Sequence, residues 1–279
     1  MNKTAKPKQG FVLTPGGYRH HLRTYRIEKS NHIGIRGGRY VKIQSHSGEV
    51  VDDLGPVHDL GAVIGVAGEK TIEQGWVAYA GWLNDTGRPI TSFSGKWVVP
   101  PPPAIDHGQT IFLFIGIQNT DSILQPVLQW GKSFAGGGPF WTITNWYVSG
   151  QGPAVCKDPV RVAPGDELEA SISMVIKPGG VISYKASFKG HPDIDLEREG
   201  IQELSWANVV LESYKAELPT DYPPAVSTTM TLLEMTTGMD VVSPDWRLHP
   251  KQVAANDPHA VRIEDGEIDL FYGSGDVLG

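Results

Sequence analysis

The chain has 279 residues, of which 40% are hydrophobic, so it is long enough to bury a full core and lies near the upper size of a single β domain. Its one cysteine, Cys156, excludes an internal disulfide framework and any multi-cysteine metal site. The net charge of -7 and the 33 glycines and 21 prolines favour an acidic protein of many short strands joined by turns, without long helices.

Charge is distributed unevenly along the chain. Residues 1–50 hold ten Lys or Arg and two Asp or Glu, a sum of +8, whereas residues 51–279 hold 14 and 29, a sum of -15. This asymmetry predicts either a pro-segment-like arm that lies over an acidic cleft or a solvated extension with ordinary surface charge. The basic stretch contains no regular helix and no known nucleic-acid-binding motif, so no nucleic-acid partner is expected.

The first ten residues are polar and Lys-rich, with no apolar run behind them. No secretory signal peptide is visible, which predicts a cytoplasmic or non-classically secreted protein. No stretch approaches the roughly 20 apolar residues of a membrane span, so none is expected. Five of the nine histidines lie in the first sixty residues, but their spacing matches no zinc pattern, and we expect no metal or other cofactor.

Strand signals become dense only after a Gly-rich, weakly patterned region that ends near residue 68. We therefore divide the chain into a basic N-terminal extension, residues 1–69, and a β domain, residues 70–279. Short apolar or alternating runs bounded by turn residues predict nine strands in the second part. They cover residues 76–82, 91–99, 110–117, 122–130, 141–148, 167–176, 181–188, 203–214 and 226–235.

The pattern of strands and turns predicts the fold class. Residues 110–117, TIFLFIGI, are continuously apolar and too few for a capped helix, which is typical of a central strand covered on both faces. Turns such as PGD at 164–166 recur between short strands, which favours a sandwich or barrel over a βαβ fold. We predict an all-β, two-sheet antiparallel sandwich with an N-terminal basic extension.

Five motifs in this region carry a resemblance to a known family. They read SGKWVVP at 94–100, FIGI at 114–117, ILQPVLQWG at 123–131, NWY at 145–147 and VAPGD at 162–166. Their order resembles the glutamic peptidases, or eqolisins, over about residues 91–235. The resemblance implies a sandwich of the concanavalin A-like or jelly-roll type, with a groove on its concave face.

In that family a Glu acts as general base toward water and then as general acid, while a Gln amide donates a hydrogen bond to the developing oxyanion. By motif, Gln125 matches the family's glutamine. Gln129 lies two alternations further along the strand, on the same face, and is predicted as a neighbour.

The position of the acid is open. The family motif A-E-W-I-x-E corresponds to WANVVLESY at residues 206–214. Aligning on Ala207 places Asn208 at the position of the acid, whereas a shift of four residues places Glu212 there on the same strand face. The apolar neighbours of Glu212 predict either a pKa raised by desolvation or a pairing with a surface Lys.

Two functions follow from these registers. The first is an acid-acting endopeptidase with Gln125 and Glu212 as its catalytic pair. The alternative is a non-catalytic, lectin-like protein that binds carbohydrate or peptide, because Asn208 cannot accept a proton from water at ordinary pH. In both, a polypeptide or glycan would lie in the groove. The residues predicted to bind it are Gln129, Trp130, Trp141, Trp146 and Asn208.

The tryptophans and the glycines at 136–138 each allow two interpretations. Most of the tryptophans are as well suited to a sandwich core as to a binding groove. The three glycines at 136–138 predict a loop, either one that lets a ligand approach the backbone or a flexible hairpin tip.

Overall fold

The computed structural model describes residues 9–57, 75–150, 152–248 and 260–273, and their regular structure is almost entirely β-strand. Within these ranges the helical segments are single 3-10 turns at His21–Arg23, Pro192–Ile194 and Pro219–Asp221. None of them is long and apolar enough to cross a membrane.

The strands follow in chain order. They are β1 (Phe11–Thr14), β2 (Gly17–His20), β3 (Thr24–Arg26), β4 (Asn31–Arg36), β5 (Arg39–Gln44), β6 (Val50–Pro56), β7 (Trp76–Leu83), β8 (Ile90–Val98), β9 (Thr110–Gln118), β10 (Ser122–Ser133) and β11 (Gly136–Ser149). The second half contributes β12 (Ala154–Cys156), β13 (Val160–Arg161), β14 (Glu167–Lys177), β15 (Val181–Phe188), β16 (Leu196–Glu199), β17 (Trp206–Tyr214), β18 (Ser227–Thr237), β19 (Asp240–Val241), β20 (Arg247–Leu248), β21 (Val261–Glu264) and β22 (Glu267–Phe271).

Two large sheets form a sandwich. The nine-stranded sheet has the order β20-β7-β17-β9-β10-β11-β12-β3, with β13 beside β11. The eleven-stranded sheet has the order β21-β22-β18-β8-β14-β15-β16-β4-β5-β6, with β19 beside β18. Their inner faces share one apolar core, to which Leu113 and Leu128 contribute from the first sheet and Phe93 and Ile172 from the second. The predicted all-β, two-sheet sandwich is confirmed.

All nine strands predicted from the sequence are present, with ends shifted by a few residues. The apolar run at 110–117 became β9, which lies between β17 and β10 and is buried along its whole length. Its odd-numbered residues pack into the core between the sheets, and its even-numbered residues face the opposite way. A strand covered on both faces has no polar alternation, which is why it reads as a continuous apolar run.

The sandwich is mostly antiparallel, with two parallel pairings as exceptions. The pairings β3 with β12 and β4 with β16 are parallel. Both bring in a strand from the region before residue 69, which contributes β3 to one sheet and β4, β5 and β6 to the edge of the other. A strand that comes from a distant segment is not joined to its partner by a tight hairpin, so it is free to run parallel. The predicted boundary between residues 69 and 70 lies outside the described residues.

The three glycines at 136–138 form part of a strand and not the predicted loop. They begin β11 and pair with residues 131–133 of β10, while Phe134 and Ala135 make the turn. A Cβ atom at Gly137 would lie 2.2 Å from the Gly131 carbonyl oxygen, at a bulge in this pair of strands. Glycine is therefore required here for the close approach of two backbones.

A second apolar cluster covers the face of the nine-stranded sheet that points away from the core, called the outer face below. Its members are Tyr79, Phe112, Phe114, Ile123, Val127, Ala135, Trp146, Val148, Ala154, Cys156, Val210 and Tyr214. All of them are buried, although one face of an antiparallel sheet is commonly solvated. Part of the cover is the hairpin of β1 and β2, whose residues Leu13 and Tyr18 pack against this cluster.

Candidate functional site

Four polar residues of β10 and β17 share the outer face with this cluster. They are Gln125, Gln129, Asn208 and Glu212, and each is at most 6% exposed. Side chains alternate between the two faces of a strand. Residues 123, 125, 127 and 129 of β10 and residues 208, 210, 212 and 214 of β17 therefore point the same way.

Gln125 and Asn208 lie at one level of the sheet, on either side of Gly116. Strand β9 lies between β17 and β10, and Asn208 is directly opposite Gly116. The register of β10 against β9 places Gln125 opposite the same glycine. Strands are spaced about 4.8 Å apart, so the Cα atoms of the two amide residues are separated by about 10 Å. We call this set of three residues the Gly116 row.

Gln129 and Glu212 occupy an equivalent position four residues along the strands. Each is directly opposite Phe112 of β9, and we call this set the Phe112 row. At about 3.3 Å per residue the two rows are about 13 Å apart. The sheet therefore carries a Gln with an Asn in one row and a Gln with a Glu in the other.

The amides of the Gly116 row have unused hydrogen-bonding capacity. Neither Oε1 nor Nε2 of Gln125 has a hydrogen-bond partner within the described part of the chain, and the same holds for Nδ2 of Asn208. Leaving a buried polar group unpaired costs about 1–3 kcal/mol, and each such group in a folded protein calls for an explanation. A ligand that supplies the missing partners would explain these amides.

Glycines shape the space around this row. Asn208 faces Gly81 of β7, where a Cβ atom would lie 3.1 Å from the Asn208 Oδ1 atom. A Cβ atom at Gly116 would lie 3.0 Å from Cδ1 of Ile123, which leans over that glycine. The two glycines leave room for the Asn208 amide and for Ile123.

Gln129 is committed to the fold. Its Nε2 donates to the carbonyl oxygens of Gly131 and Gly136, both at 2.9 Å, and its Oε1 accepts from the Ser133 hydroxyl at 2.7 Å. The bond to Gly136 bridges β10 and β11 beside the bulge between Trp130 and Gly131. Gln129 cannot donate to a ligand without breaking this bridge.

Glu212 is completely buried. Its Oε1 accepts from the backbone N–H of Gly16 at 2.7 Å and from the Tyr214 hydroxyl at 2.6 Å, while Oε2 has no hydrogen-bond partner among the residues described. Burial raises the pKa of Glu212 to about 8. The hydrogen bonds from Tyr214 and Gly16, the nearby Trp76 side chain and the charge of Arg19 oppose this shift only in part. The side chain is therefore mostly a neutral acid at pH 7.

The predicted tryptophans divide between the two faces. Trp146 lies on the outer face, within the apolar cluster. Trp130 and Trp141 are opposite each other across β10 and β11 and pack edge to face at 5.5 Å in the core between the sheets. Strand alternation explains the difference, because residue 130 must point away from the face that holds residue 129. These two side chains fill the core and cannot contact a ligand on the outer face.

The structure brings Gln125 close to Asn208 and places Glu212 farther away. With two strand spacings and four residues between them, the Cα atoms of Gln125 and Glu212 are about 16 Å apart. A single water molecule cannot contact both side chains at that separation. The alignment on Ala207, which puts Asn208 at the position of the acid, therefore selects the row that contains Gln125. The alignment shifted by four residues, which puts Glu212 there, selects the other row.

Two partners of Glu212 were not predicted as such. Tyr214 is one of the apolar neighbours of Glu212 in the sequence, and its position two residues after Glu212 on the same strand face could have identified it as a hydroxyl donor. Gly16 is 196 residues away in the sequence, and no local pattern predicts its contact with Glu212.

No protein-family model matches the chain, and no curated protein matches it. Among solved structures, two of scytalido-glutamic peptidase with transition-state analogues are similar, at 14% identity and TM-scores of 0.48 and 0.49. A structure of SCP-B, a member of the Eqolisin family of peptidases in complex with the tripeptide Ala-Ile-His, has 12% identity and a TM-score of 0.46. Each similarity covers 71% of this chain and 98% of the other. All three TM-scores lie below 0.5, a level at which similarity does not transfer a function.

Proposed function

We propose that the protein binds a polypeptide on the outer face of the nine-stranded sheet, through the amides of Gln125 and Asn208, and does not hydrolyse it there. The observation that carries the proposal is the Gly116 row, in which two buried amides with unpartnered atoms flank a glycine. An amide offers both a donor and an acceptor, as a peptide backbone requires. A polypeptide is favoured over a glycan because the hairpin that lies on this face is itself a peptide.

The distribution of residue types over the two rows argues against hydrolysis. A Glu/Gln mechanism needs a carboxyl group and a free amide within reach of one peptide bond. The Gly116 row has a free Gln but an Asn, which cannot act as a base. The Phe112 row has a Glu, but the amide of Gln129 is already bonded to the backbone. Neither row combines the two requirements.

Binding can be tested in a background with a loosened hairpin, the double variant Leu13→Ser and Tyr18→Ser, because those two side chains pack the hairpin onto the outer face. We expect this chain to bind members of a peptide array and leave them intact in mass spectra. Adding Gln125→Ala should weaken binding about tenfold, as expected for a loss of about 1.4 kcal/mol. The exposed amide variant Gln202→Ala serves as control and should change nothing.

Three results would overturn the proposal. If no peptide binds the loosened chain, or if Gln125→Ala and Gln202→Ala behave alike, the Gly116 row is not the binding site. If the bound peptide is cleaved, the claim that it is not hydrolysed is wrong.

A second candidate is a hydrolase that uses Gln125 and Glu212. Its support is the neutral, buried carboxyl of Glu212 beside a peptide N–H, which is the state that a general acid needs. This candidate predicts that the loosened chain cleaves denatured polypeptide between about pH 2 and 7, with loss of cleavage in both Glu212→Gln and Gln125→Ala. Absence of cleavage in that assay would exclude this candidate.

A further inference from the structure

The N-terminal hairpin has an unusual position for a turn. Strands β1 and β2 pair from Phe11 opposite His20 to Thr14 opposite Gly17, and the tip consists of residues 14–17. All four tip residues are buried, whereas connecting turns normally lie on the surface and in water. Within the tip, the hydroxyl of Thr14 donates to the carbonyl of Gly17 at 2.8 Å. The tip of the hairpin is therefore buried against the rest of the protein.

Backbone groups of the hairpin are recognised by the body of the protein. The Gly16 N–H donates to Glu212, and the Leu13 carbonyl accepts from the Phe134 N–H at 2.8 Å. At the other end of the β10–β11 pair, Arg19 Nη1 donates to the Gly150 carbonyl at 3.0 Å. The ring of Tyr18 packs edge to face against Tyr214 at 5.9 Å. These contacts span the outer face from one end of β10 to the other.

At Glu212 the hairpin excludes water from the outer face. Its Oε1 accepts both the hairpin N–H and the Tyr214 hydroxyl, and its Oε2 is buried without a hydrogen-bond partner in the described ranges. A carboxylate buried in this way would have two hydrogen bonds, both to Oε1, and none to Oε2 from any described residue, which is fewer than a buried negative charge requires. A neutral carboxylic acid fits the same position at much lower cost.

We propose that the N-terminal hairpin is a built-in occupant of the outer face and that it docks more tightly when Glu212 is protonated, so that a rise in pH favours its release. Docking then takes up one proton. When the hairpin leaves, water reaches Glu212 and the carboxylate forms.

The charged and titratable groups around Glu212 do not change state over the relevant range. Arg19 on β2 stays positive, since burial lowers its pKa only to about 10. Burial raises the pKa of Tyr18 on β2 and of Tyr214 on β17 above the usual value of 10, so both stay neutral. The nearest residues on β7 and β9, Trp76 and Phe112, do not titrate.

The sign and the range follow from the two states of Glu212. Its pKa is about 8 when the hairpin is docked and returns toward the ordinary value of 4.5 when water reaches it. Docking is therefore strongest below pH 4.5, weakens up to tenfold per pH unit as the pH rises to 8, and then stays level. The total weakening is up to about a thousandfold.

Release of the hairpin does not depend on the proposed function, but its consequence does. If the outer face binds a polypeptide through the Gly116 row, the ligand competes with the hairpin and binds more tightly as the pH rises toward 8. Failure of pH-dependent release and failure of ligand binding are therefore separate outcomes.

The test is hydrogen exchange measured by mass spectrometry on the full chain between pH 4.5 and 8.5, with protection factors corrected for the intrinsic exchange rate. The protection of residues 13–18 should fall with pH, by up to tenfold per unit. Residues 170–176 of β14, in the other sheet, report global opening and should not follow. Glu212→Gln, which is neutral at every pH, should keep the hairpin protected throughout.

Matched controls separate Glu212 from other groups. Glu234→Gln removes an exposed carboxyl on β18 and should retain the wild-type pH dependence. His20 and His21 at the base of the hairpin remain in all variants, so any contribution of theirs persists in Glu212→Gln. A protection factor in the wild type that does not depend on pH would overturn the proposal. So would a Glu212→Gln profile with the same slope as the wild type, and unfolding of that variant would show as lost protection in β14.

Discussion

At the scale of single residues, the difference between an amide and a carboxyl at position 208 decides what the Gly116 row can do. Asn208 and a Glu at the same position differ by one methylene and by the ability to take a proton. Gln125, across Gly116, already has its amide free. A side chain that can accept a proton is therefore the one part of a Glu/Gln pair that this row lacks.

This leads to a gain-of-function prediction. In the background with the loosened hairpin, Asn208→Glu should cleave denatured polypeptide at acidic pH. The substitution places a carboxyl in the same row as the free amide of Gln125, and the Cα atoms of the two residues are about 10 Å apart. The control Asn208→Gln has the same length but no carboxyl and should be inactive. Peptide products are measured by mass spectrometry between pH 2 and 7. Inactivity of Asn208→Glu in a folded protein would show that the row lacks more than a base.

At the scale of elements, the pairing of β10 with β11 holds the site residues of β10 in place. Glycines 136–138 pair with residues 131–133 beside a bulge, and the Gln129 amide bridges the two strands at this point. Gly137 has a φ of 97° and lies against the Gly131 carbonyl, so it faces both a backbone and a packing restriction. Gly179, in the turn before β15, has a φ of 81° but open space around it.

A comparison of two alanine substitutions separates these restrictions. Gly179→Ala should lower the free energy of unfolding by about 1 kcal/mol, from backbone strain alone. Gly137→Ala should lower it by about 1–3 kcal/mol more, because its Cβ atom collides with a carbonyl oxygen. Urea unfolding at constant pH gives both values. Equal losses would mean that β10 and β11 separate easily and do not fix the position of Gln125.

At the scale of the whole molecule, the N-terminal region has two parts with different roles. The hairpin lies on the outer face, whereas β3 to β6 extend both sheets. Ile27, Ile33 and Leu54 of the second part belong to the main core. Lys157 joins this part to the sandwich, because its Nζ donates to the carbonyls of Glu28 and Asn31 at 2.8 and 2.7 Å.

Two truncations should therefore behave differently. Removal of residues 1–22 takes away the hairpin and should leave a folded sandwich with an accessible outer face. Removal of residues 1–57 also takes away β3 to β6, and each core side chain lost with them contributes about 1.5–3 kcal/mol of burial. We expect the longer truncation to be insoluble or to unfold without a cooperative transition, as measured by circular dichroism on heating. A folded longer truncation would make the whole region dispensable.

The sequence by itself determined the nine strands and the faces of their residues. Alternation is a local property, so it placed Gln125 with Gln129 and Asn208 with Glu212. The predicted binding set still combined Gln129 with Trp130, which alternation puts on opposite faces. Only the tertiary structure decided which residue lies across from Gln125, because that depends on how β10 and β17 each pair with β9. It also decided the contact of Gly16 with Glu212 and the parallel pairings of β3 and β4. These contacts join segments that are far apart in the chain. The hydrophobic pattern of one strand does not specify which distant strand it pairs with.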